Sequence, residues 1–230
     1  MPQLLHYDFH IHSCLSPCAD DDMTPDNICG MAKLKGLDAI AVTDHNTARN
    51  LRAVSRAAAN QGLLLLPGME LCTQEEVHIL AYFPSVQAAE AMGAACLPLL
   101  GGLRNNPAFY GRQIIYNETG EEAGEEDALL IGALQADLSE VCAMVRAVGG
   151  VPVPAHPCRG HGLVTMLGFF PEEEGFTTSE ASDHCPLPEG LRLLRSSDAH
   201  QLGMISERGQ TIRCIPNAQD IVRMMGSRAG

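Results

Sequence analysis

The chain is poor in aromatic and basic side chains and has no long apolar run. Aromatic residues make up 4% of its 230 positions, which leaves few flat surfaces for stacking the bases of a single strand. Lysine and arginine number 15 against 28 acidic residues, a formal net charge of −13. Such a surface repels polyanions unless a local feature reverses the field, so a general nucleic-acid coat is disfavoured. The run Leu63 to Leu66 falls far short of the roughly 20 apolar residues that a membrane span requires. No basic stretch leads into an apolar one at the start, and no internal repeat or low-complexity tract occurs. A soluble, cytoplasmic protein without a membrane partner is expected.

What is present suffices for one core. With 46% apolar residues over 230 positions, a single compact domain spanning residues 1–230 is expected. Nine cysteines, an odd number, scatter from Cys14 to Cys214. A chain of this size does not depend on disulfide staples, so reduced thiols are expected.

Strand and helix patterns alternate. Leu4 to Ile11 reads as a strand, and Thr24-Pro25-Asp26 opens a helix that runs to about Gly36, with Pro25 at its first position. Leu37 to Thr43 has the continuous apolar character of a strand buried on both faces, and a helix over Thr47 to Asn60 follows. Leu63 to Pro67 and Val77 to Phe83 are further strands, separated by the polar turn Thr73-Gln74-Glu75-Glu76. Ser85 to Leu100 is mostly helical. Gly101 to Asp127 loses the pattern and is expected to be a solvated excursion that caps the site.

Leu138 to Val148 is helical and stops at Gly149-Gly150, and the prolines of Val151 to Pro154 suit a strand edge or end. Arg159 to Pro188 is irregular. Strands at Leu191 to Arg195 and Gln210 to Ile215 and a helix from about Asn217 to Met225 close the chain. Alternation of this kind predicts an α/β fold with a parallel sheet, either a barrel or an open doubly wound one.

The polar residues carry the chemistry. His10, His12, His45, His78, His156 and His200 each fall in or beside a strand, several at its C-terminal end, where barrels gather functional side chains. In His10-Ile11-His12 the strand period of two points both imidazoles to one face, within reach of one metal ion. Asp44-His45-Asn46 sets a carboxylate beside an imidazole, although turn chemistry alone would account for Asp44 and Asn46. Glu70 follows four leucines and needs a cation or donors to offset its desolvation. His156 lies between prolines, and Asp198-Ala199-His200 repeats the two-residue spacing. A donor set of nitrogen and oxygen without thiolate suits Zn, Mn or Fe(II) and does not separate them. More than four ligands implies more than one ion.

In order, these segments are an HxH, a TDH, a Gly-x-Glu, a later His and a closing DxH, and in that order the chain resembles the PHP family, the polymerase and histidinol phosphatase domain. The resemblance covers Asp8 to about His200. It implies a distorted seven-stranded (β/α)7 barrel with two to three divalent ions. It further implies that His10, His12, Glu70 and Asp198 hold one ion, that Glu70, His78 and His156 hold another with Glu70 as bridge, and that Asp20, His45 and His200 hold the third. An insertion around Pro17-Cys18 departs from the family's spacing. Counting back from Thr24-Pro25 selects Asp20, with Asp22 in reserve.

The expected activity is metal-dependent hydrolysis of a small phosphomonoester or nucleotide-type phosphoester, with water activated on the ions and no protein nucleophile. Asp44 and His200 are the catalytic candidates, and Arg159, Asn46 and His161 the substrate contacts, an exposed surface arginine being an equally simple account of Arg159. His6 and His184 match no motif, and Cys14 with Cys18 lacks the second cysteine pair that a separate zinc site would need. The alternatives are an exonuclease acting on RNA or DNA ends and a non-catalytic metal-binding module.

Overall fold

The computed structural model describes residues 1–181 and 184–228. β1 (Gln3–Ile11) is followed by α1 (Pro25–Leu34), whose Thr24 cap accepts the Asn27 N–H. β2 (Ala39–Val42) is buried throughout and precedes α2 (Leu51–Gln61), which Gly62 ends in a left-handed conformation. That helix starts four residues later than its sequence pattern suggests. Asn50 uses its side-chain amide on Ser13 Oγ and the Ile114 carbonyl, which holds the preceding residues in a turn.

Next come β3 (Leu64–Leu65), β4 (Gly68–Cys72), β5 (His78–Tyr82) and α3 (Val86–Cys96), capped by Ser85. α4 (Pro107–Tyr110), β6 (Ile114–Tyr116) and β7 (Glu122–Glu125) follow. α5 (Leu138–Ala147) begins with a capping box between Asp137 and Glu140 and leads to β8 (Val151–Pro154). α6 (Leu163–Leu167), β9 (Thr178–Glu180), β10 (Arg192–Leu194), β11 (Thr211–Cys214) and α7 (Ala218–Met225) complete the described chain. None of these helices is long and apolar enough to cross a membrane.

The strands form four separate sheets, ordered β11-β1-β2-β3, β4-β5-β8, β10-β9 and β6-β7. The fold is mixed α/β, and no closed seven-stranded barrel is present among the described residues. Among the named strands of the described residues, parallel pairing is confined to β1 with β2, β2 with β3, and β9 with β10. The expected wholly parallel sheet fails at β4, a strand the sequence pattern missed. Only a tight turn separates β4 from β5, far shorter than a parallel crossover allows, so the two pair antiparallel with Cys72 opposite His78 and Glu70 opposite Leu80. In that register Glu70 and His78 are diagonal neighbours on one face. Two isolated parallel bridges, His45 with Glu70 and Ile11 with Ala199, join chain segments where the sheets are interrupted.

The apolar core fills two main clusters, one around Ile11, Val42, Met69 and Phe83, the other around Phe9, Leu66, Tyr82 and Ile221. β1 contributes to both, with Leu5, Tyr7 and Phe9 in the second and Ile11 in the first. Its odd-numbered residues from Leu5 to Ile11 pack into core, while Asp8, His10 and His12 form the polar row, each of these three 0% exposed. Buried polar groups in a row need partners on the facing segments.

Two expectations are corrected. The 101–127 segment is not simply irregular, since it contains α4 and the β6–β7 hairpin, and it braces the 13–23 loop. The Ile114 N–H donates to the Cys14 carbonyl, and a Cβ on Gly111 would lie 2.1 Å from the Pro17 carbonyl oxygen. Gly111 is thus required by close approach as well as by its φ of +105°. The thiols are also not all reduced. Cys158 and Cys185 form a disulfide across a sequence separation of 27, because the loop after β8 and the segment before β10 fold back on each other, a proximity that spacing alone does not reveal.

Candidate metal centre

Glu70 organises the site. It sits in β4 with 1% exposure, and five imidazole nitrogens surround it. Its Oε1 lies 3.0 Å from His78 Nδ1, 3.2 Å from His156 Nε2 and 3.4 Å from His10 Nε2. Its Oε2 lies 3.2 Å from His12 Nε2 and 3.4 Å from His45 Nδ1. Asp198 Oδ1 stands 3.3 Å from His10 Nε2 and 3.5 Å from His12 Nε2, and the two Nε2 atoms are 3.3 Å apart.

These separations test whether the donors fit a cation. Four nitrogen or oxygen donors placed tetrahedrally at about 2.0–2.1 Å from one ion lie roughly 3.3–3.4 Å from each other. His10 and His12 stand near that spacing from each other and from one Glu70 oxygen each, and Asp198 Oδ1 stands near it from both imidazoles. Three donor groups can be drawn within 4.8 Å limits: His10 with His12 and Glu70; His45 with Glu70 and His78; and His12 with Cys18, His45 and His200. His45 Nδ1 is buried without a hydrogen-bond partner, an arrangement that costs free energy unless something else supplies the partner. The residues fit divalent metal.

Outer groups aim the imidazoles. Ser16 Oγ donates to Asp44 Oδ1 at 2.7 Å, so at 3.0 Å from His12 Nδ1 it acts as acceptor and leaves His12 Nε2 with the lone pair. Asp44 also accepts from Ser13 N–H at 2.8 Å and Ser13 Oγ at 2.6 Å. These bonds make Asp44 a positioning residue. Glu180, in β9, was not singled out from the sequence, yet its Oε1 is 3.2 Å from His10 Nδ1 and its Oε2 accepts the His156 N–H at 2.8 Å. Its only signal in the sequence was a carboxylate in a poorly patterned segment. His156 Nδ1 faces the Arg159 carbonyl at 3.2 Å and His200 Nδ1 the Asp198 carbonyl at 2.9 Å, which directs Nε2 of each inward.

Other sequence candidates land differently. Asn46 spends its amide on the carbonyls of Leu130 and Gly132 and on the Cys72 N–H, so it fixes the turn after β2 and has little left for a substrate. Arg159 is 61% exposed in its side chain, with one guanidinium nitrogen 3.1 Å from Asp198 Oδ2. His161 stacks on His78 with ring centroids 4.9 Å apart. Asp20 is exposed and is in none of the three donor groups, nor is Asp22. Asp20 contributes its backbone, donating N–H to the His200 carbonyl at 2.9 Å. His6 and His184 are outside all three groups. Asn46, His156 and Asp198 all have positive φ, at 53°, 29° and 55°, and such backbone strain concentrates where the surrounding structure forces a side chain into place.

Charge in the metal-free centre is divided. Burial opposes protonation of His12, but hydrogen bonds with Asp198 and Glu70 outweigh it and raise the imidazole to about 9. Burial is likewise overcome at His10 by the Glu180 and Glu70 carboxylates, which hold it well above its ordinary value. His45 and His200 are held low by burial, with His12 adding to the effect. Burial would raise Glu70, yet the facing His78 and His10 hold it well below the usual carboxylate range.

Raised values at His10 and His12 mean that the folded state keeps protons the unfolded chain has lost. Their stabilisation is complete below about 6.5 and disappears as pH climbs to about 9. Chelator-treated protein is therefore expected to melt at a lower temperature at pH 9 than at pH 6.5, while metal affinity rises across the same window because ions displace those protons. Thermal melts with and without metal check this, and a metal-free midpoint that rises with pH would contradict it.

Among solved structures, the lesion-specific endonuclease PfuEndoQ from Pyrococcus furiosus is similar over 97% of this chain with a TM-score of 0.72 and 16% identity. The chain spans about half of that endonuclease, 56% of its length. A proposed metal-dependent phosphoesterase from Bifidobacterium adolescentis matches over 98% of this chain and 96% of its own, with a TM-score of 0.58 and 20% identity. An amidohydrolase from Chromobacterium violaceum with bound sulfate gives the same score and identity over 96% and 95%. No curated protein matches by sequence. The PHP domain family model matches residues 8–144, a span that starts at the buried Asp8 of β1, takes in His10, His12, Glu70 and His78, and covers more than half of the chain. The protein belongs to the PHP domain family.

Proposed function

We propose that the chain is a metal-dependent phosphoesterase that hydrolyses a small phosphomonoester or a nucleotide-type phosphoester. The observation that carries this reading is Glu70, a buried carboxylate with five imidazole nitrogens within 3.4 Å. In the proposed set, His10, His12, Glu70 and Asp198 would hold one ion and Glu70, His78 and His156 a second, with His45 and His200 facing a third position. Divalent ions held there, whether Zn, Mn or Fe, would supply Lewis acidity towards water and phosphoryl oxygens.

The chain's own groups bind and orient. Arg159 keeps one nitrogen on Asp198 and offers the remaining donors of its exposed guanidinium to a phosphoryl oxygen. His161 donates Nδ1–H to the Glu76 carbonyl, which leaves Nε2 for a substrate contact at the rim. Asp44 acts through Ser16 to hold His12 in the tautomer that presents Nε2. The reading takes the 230 residues as one catalytic unit, with the 101–127 segment shaping access to the centre.

Cleavage of nucleic acid is the second reading. It takes support from the fold similarity to an endonuclease over 97% of this chain. The charge of −13 and the 4% aromatic content weigh against it for this chain alone. The deciding experiment is a screen of metal-loaded protein against mononucleotides, sugar phosphates and oligonucleotides with and without a damaged base. Turnover of the small phosphoesters at least about tenfold faster than cleavage of oligonucleotides is expected. The reverse order would establish the nuclease reading, and no turnover of any of them would leave a metal-binding module.

A further inference from the structure

The third donor group has an unexpected member. Where the family pattern leads to a carboxylate, the structure places Cys18, whose sulfur lies with nitrogens of His12, His45 and His200 inside 4.8 Å. Asp20, two residues on, is in none of the donor groups and meets the His200 carbonyl through its backbone N–H. The insertion around Pro17-Cys18 brings a sulfur to the rim of the centre in place of an oxygen.

The partners of each ring narrow this group. His12 has only Nε2 available, because Nδ1 is engaged by Ser16, and that Nε2 already stands within 3.5 Å of His10 Nε2, Glu70 Oε2 and Asp198 Oδ1. His200 donates Nδ1–H to the Asp198 carbonyl, so its Nε2 carries a lone pair. His45 Nδ1 is buried without a hydrogen bond, 3.4 Å from Glu70 Oε2 in a side chain 3% exposed. Cys18, His45 and His200 remain.

The position of Cys18 is built by its surroundings. Ser16 N–H donates to the Ser13 carbonyl and Ala19 N–H to the Ser16 carbonyl, each at 3.0 Å, and Asp20 N–H to the His200 carbonyl at 2.9 Å. Ser13 and Ser16 are both anchored on Asp44, and Gly111 closes on the Pro17 carbonyl from the other side. The turn that presents Cys18 is thereby tied to the segments carrying His45 and His200.

We propose that Cys18, His45 and His200 form a sulfur- and nitrogen-donor metal site that prefers Zn2+ or another thiophilic divalent ion over Mn2+ or Mg2+, beside the two carboxylate-containing sites. This rests on the metal-centre reading given above. Thiolate ligands select softer ions, whereas carboxylate and water ligands suit Mg2+ and Mn2+. Three protein donors are also the number that catalytic zinc sites use, with a position kept for a ligand from solution.

Cys18 is the exposed member of the free cysteines among the described residues, and the other six are buried. Labelling of the native, chelator-treated protein by a thiol reagent therefore reports on Cys18. Titration with Zn2+ or Co2+ is expected to slow that labelling on the order of tenfold or more, because the coordinated sulfur is no longer a free nucleophile, while Mn2+ leaves the rate unchanged. Co2+ should add a thiolate charge-transfer band in the near ultraviolet that C18S lacks. C18S should bind one Zn2+ fewer, and C18D should regain that equivalent while losing the preference over Mn2+. Zn2+ binding in full while Cys18 reacts at its metal-free rate, or a Co2+ spectrum identical in C18S, overturns the thiolate site and leaves the Glu70 sites standing. Absence of all metal binding overturns both.

Discussion

Replacement of Glu70 by glutamine is expected to lower phosphoester hydrolysis about a thousandfold, since charge stabilisation by bound metal supplies several kcal/mol and each 1.36 kcal/mol is a factor of ten. Glutamine keeps the shape and removes the negative charge that five imidazole nitrogens face within 3.4 Å. A neutral amide also turns an N–H2 group towards nitrogens whose lone pairs are meant for cations. Metal content per chain should fall together with turnover, and elemental analysis of E70Q beside the parent checks both ends of the argument. Circular dichroism of the variant separates loss of the centre from loss of the fold. Parental turnover and parental metal content in a folded E70Q protein would sink the phosphoesterase reading.

The second large effect is expected at Asp8, which is in none of the donor groups of the centre. It is fully buried in β1, where Oδ1 accepts the Ser197 N–H at 3.0 Å and Oδ2 the Ser206 N–H at 2.8 Å. These bonds hold the segment that carries Asp198 and His200 against the strand that carries His10 and His12. Asp8→Ala removes the acceptor of these two amides and of the more distant His10 N–H at 3.4 Å, and at about 1.5–3 kcal/mol for each of the two shorter bonds to a charged group the loss is about 3 kcal/mol or more. For a chain of this length, each kcal/mol shifts the melting midpoint by roughly 2–4 °C, so a fall of about 10 °C is expected. Metal affinity should weaken by about 10–100-fold, as for other groups that orient ligands. Asp8→Asn, which retains one acceptor, should recover part of both losses. Stability within about 0.5 kcal/mol of the parent, the range of ordinary surface substitutions, would show that the two amides find other partners.

Particular residues show how much was legible. His10 and His12 were readable as a pair because a strand's period of two is a local rule, and the segment from Leu5 to His12, β1 and the residue after it, obeys it. Glu70 stood out because a carboxylate after four leucines must be compensated. β4, the strand that carries it, was not recognised, since its five residues fit a turn pattern equally well and only pairing with β5 fixes them as a strand. Glu180 and Asp8 escaped notice for a different reason. Each acts on a partner more than 20 residues away, at His10 and His156 for Glu180 and at Ser197 and Ser206 for Asp8, and no local spacing encodes such a pairing.

By itself, then, the sequence determined the donor types, their order along the chain and the strands and helices that present most of them, because hydrophobic period and turn chemistry act over a few residues. The tertiary structure alone decided that Cys18 rather than Asp20 faces His45 and His200, that Asn46 is consumed by main-chain bonds, and that Cys158 meets Cys185. It also divided the strands of the described residues among four sheets, one of mixed pairing, one parallel and two antiparallel, where a parallel sheet was expected. Each of these depends on which distant backbone segments pack together, and packing of that kind is a property of the whole chain's burial and hydrogen bonding, with no counterpart in any short stretch of residues.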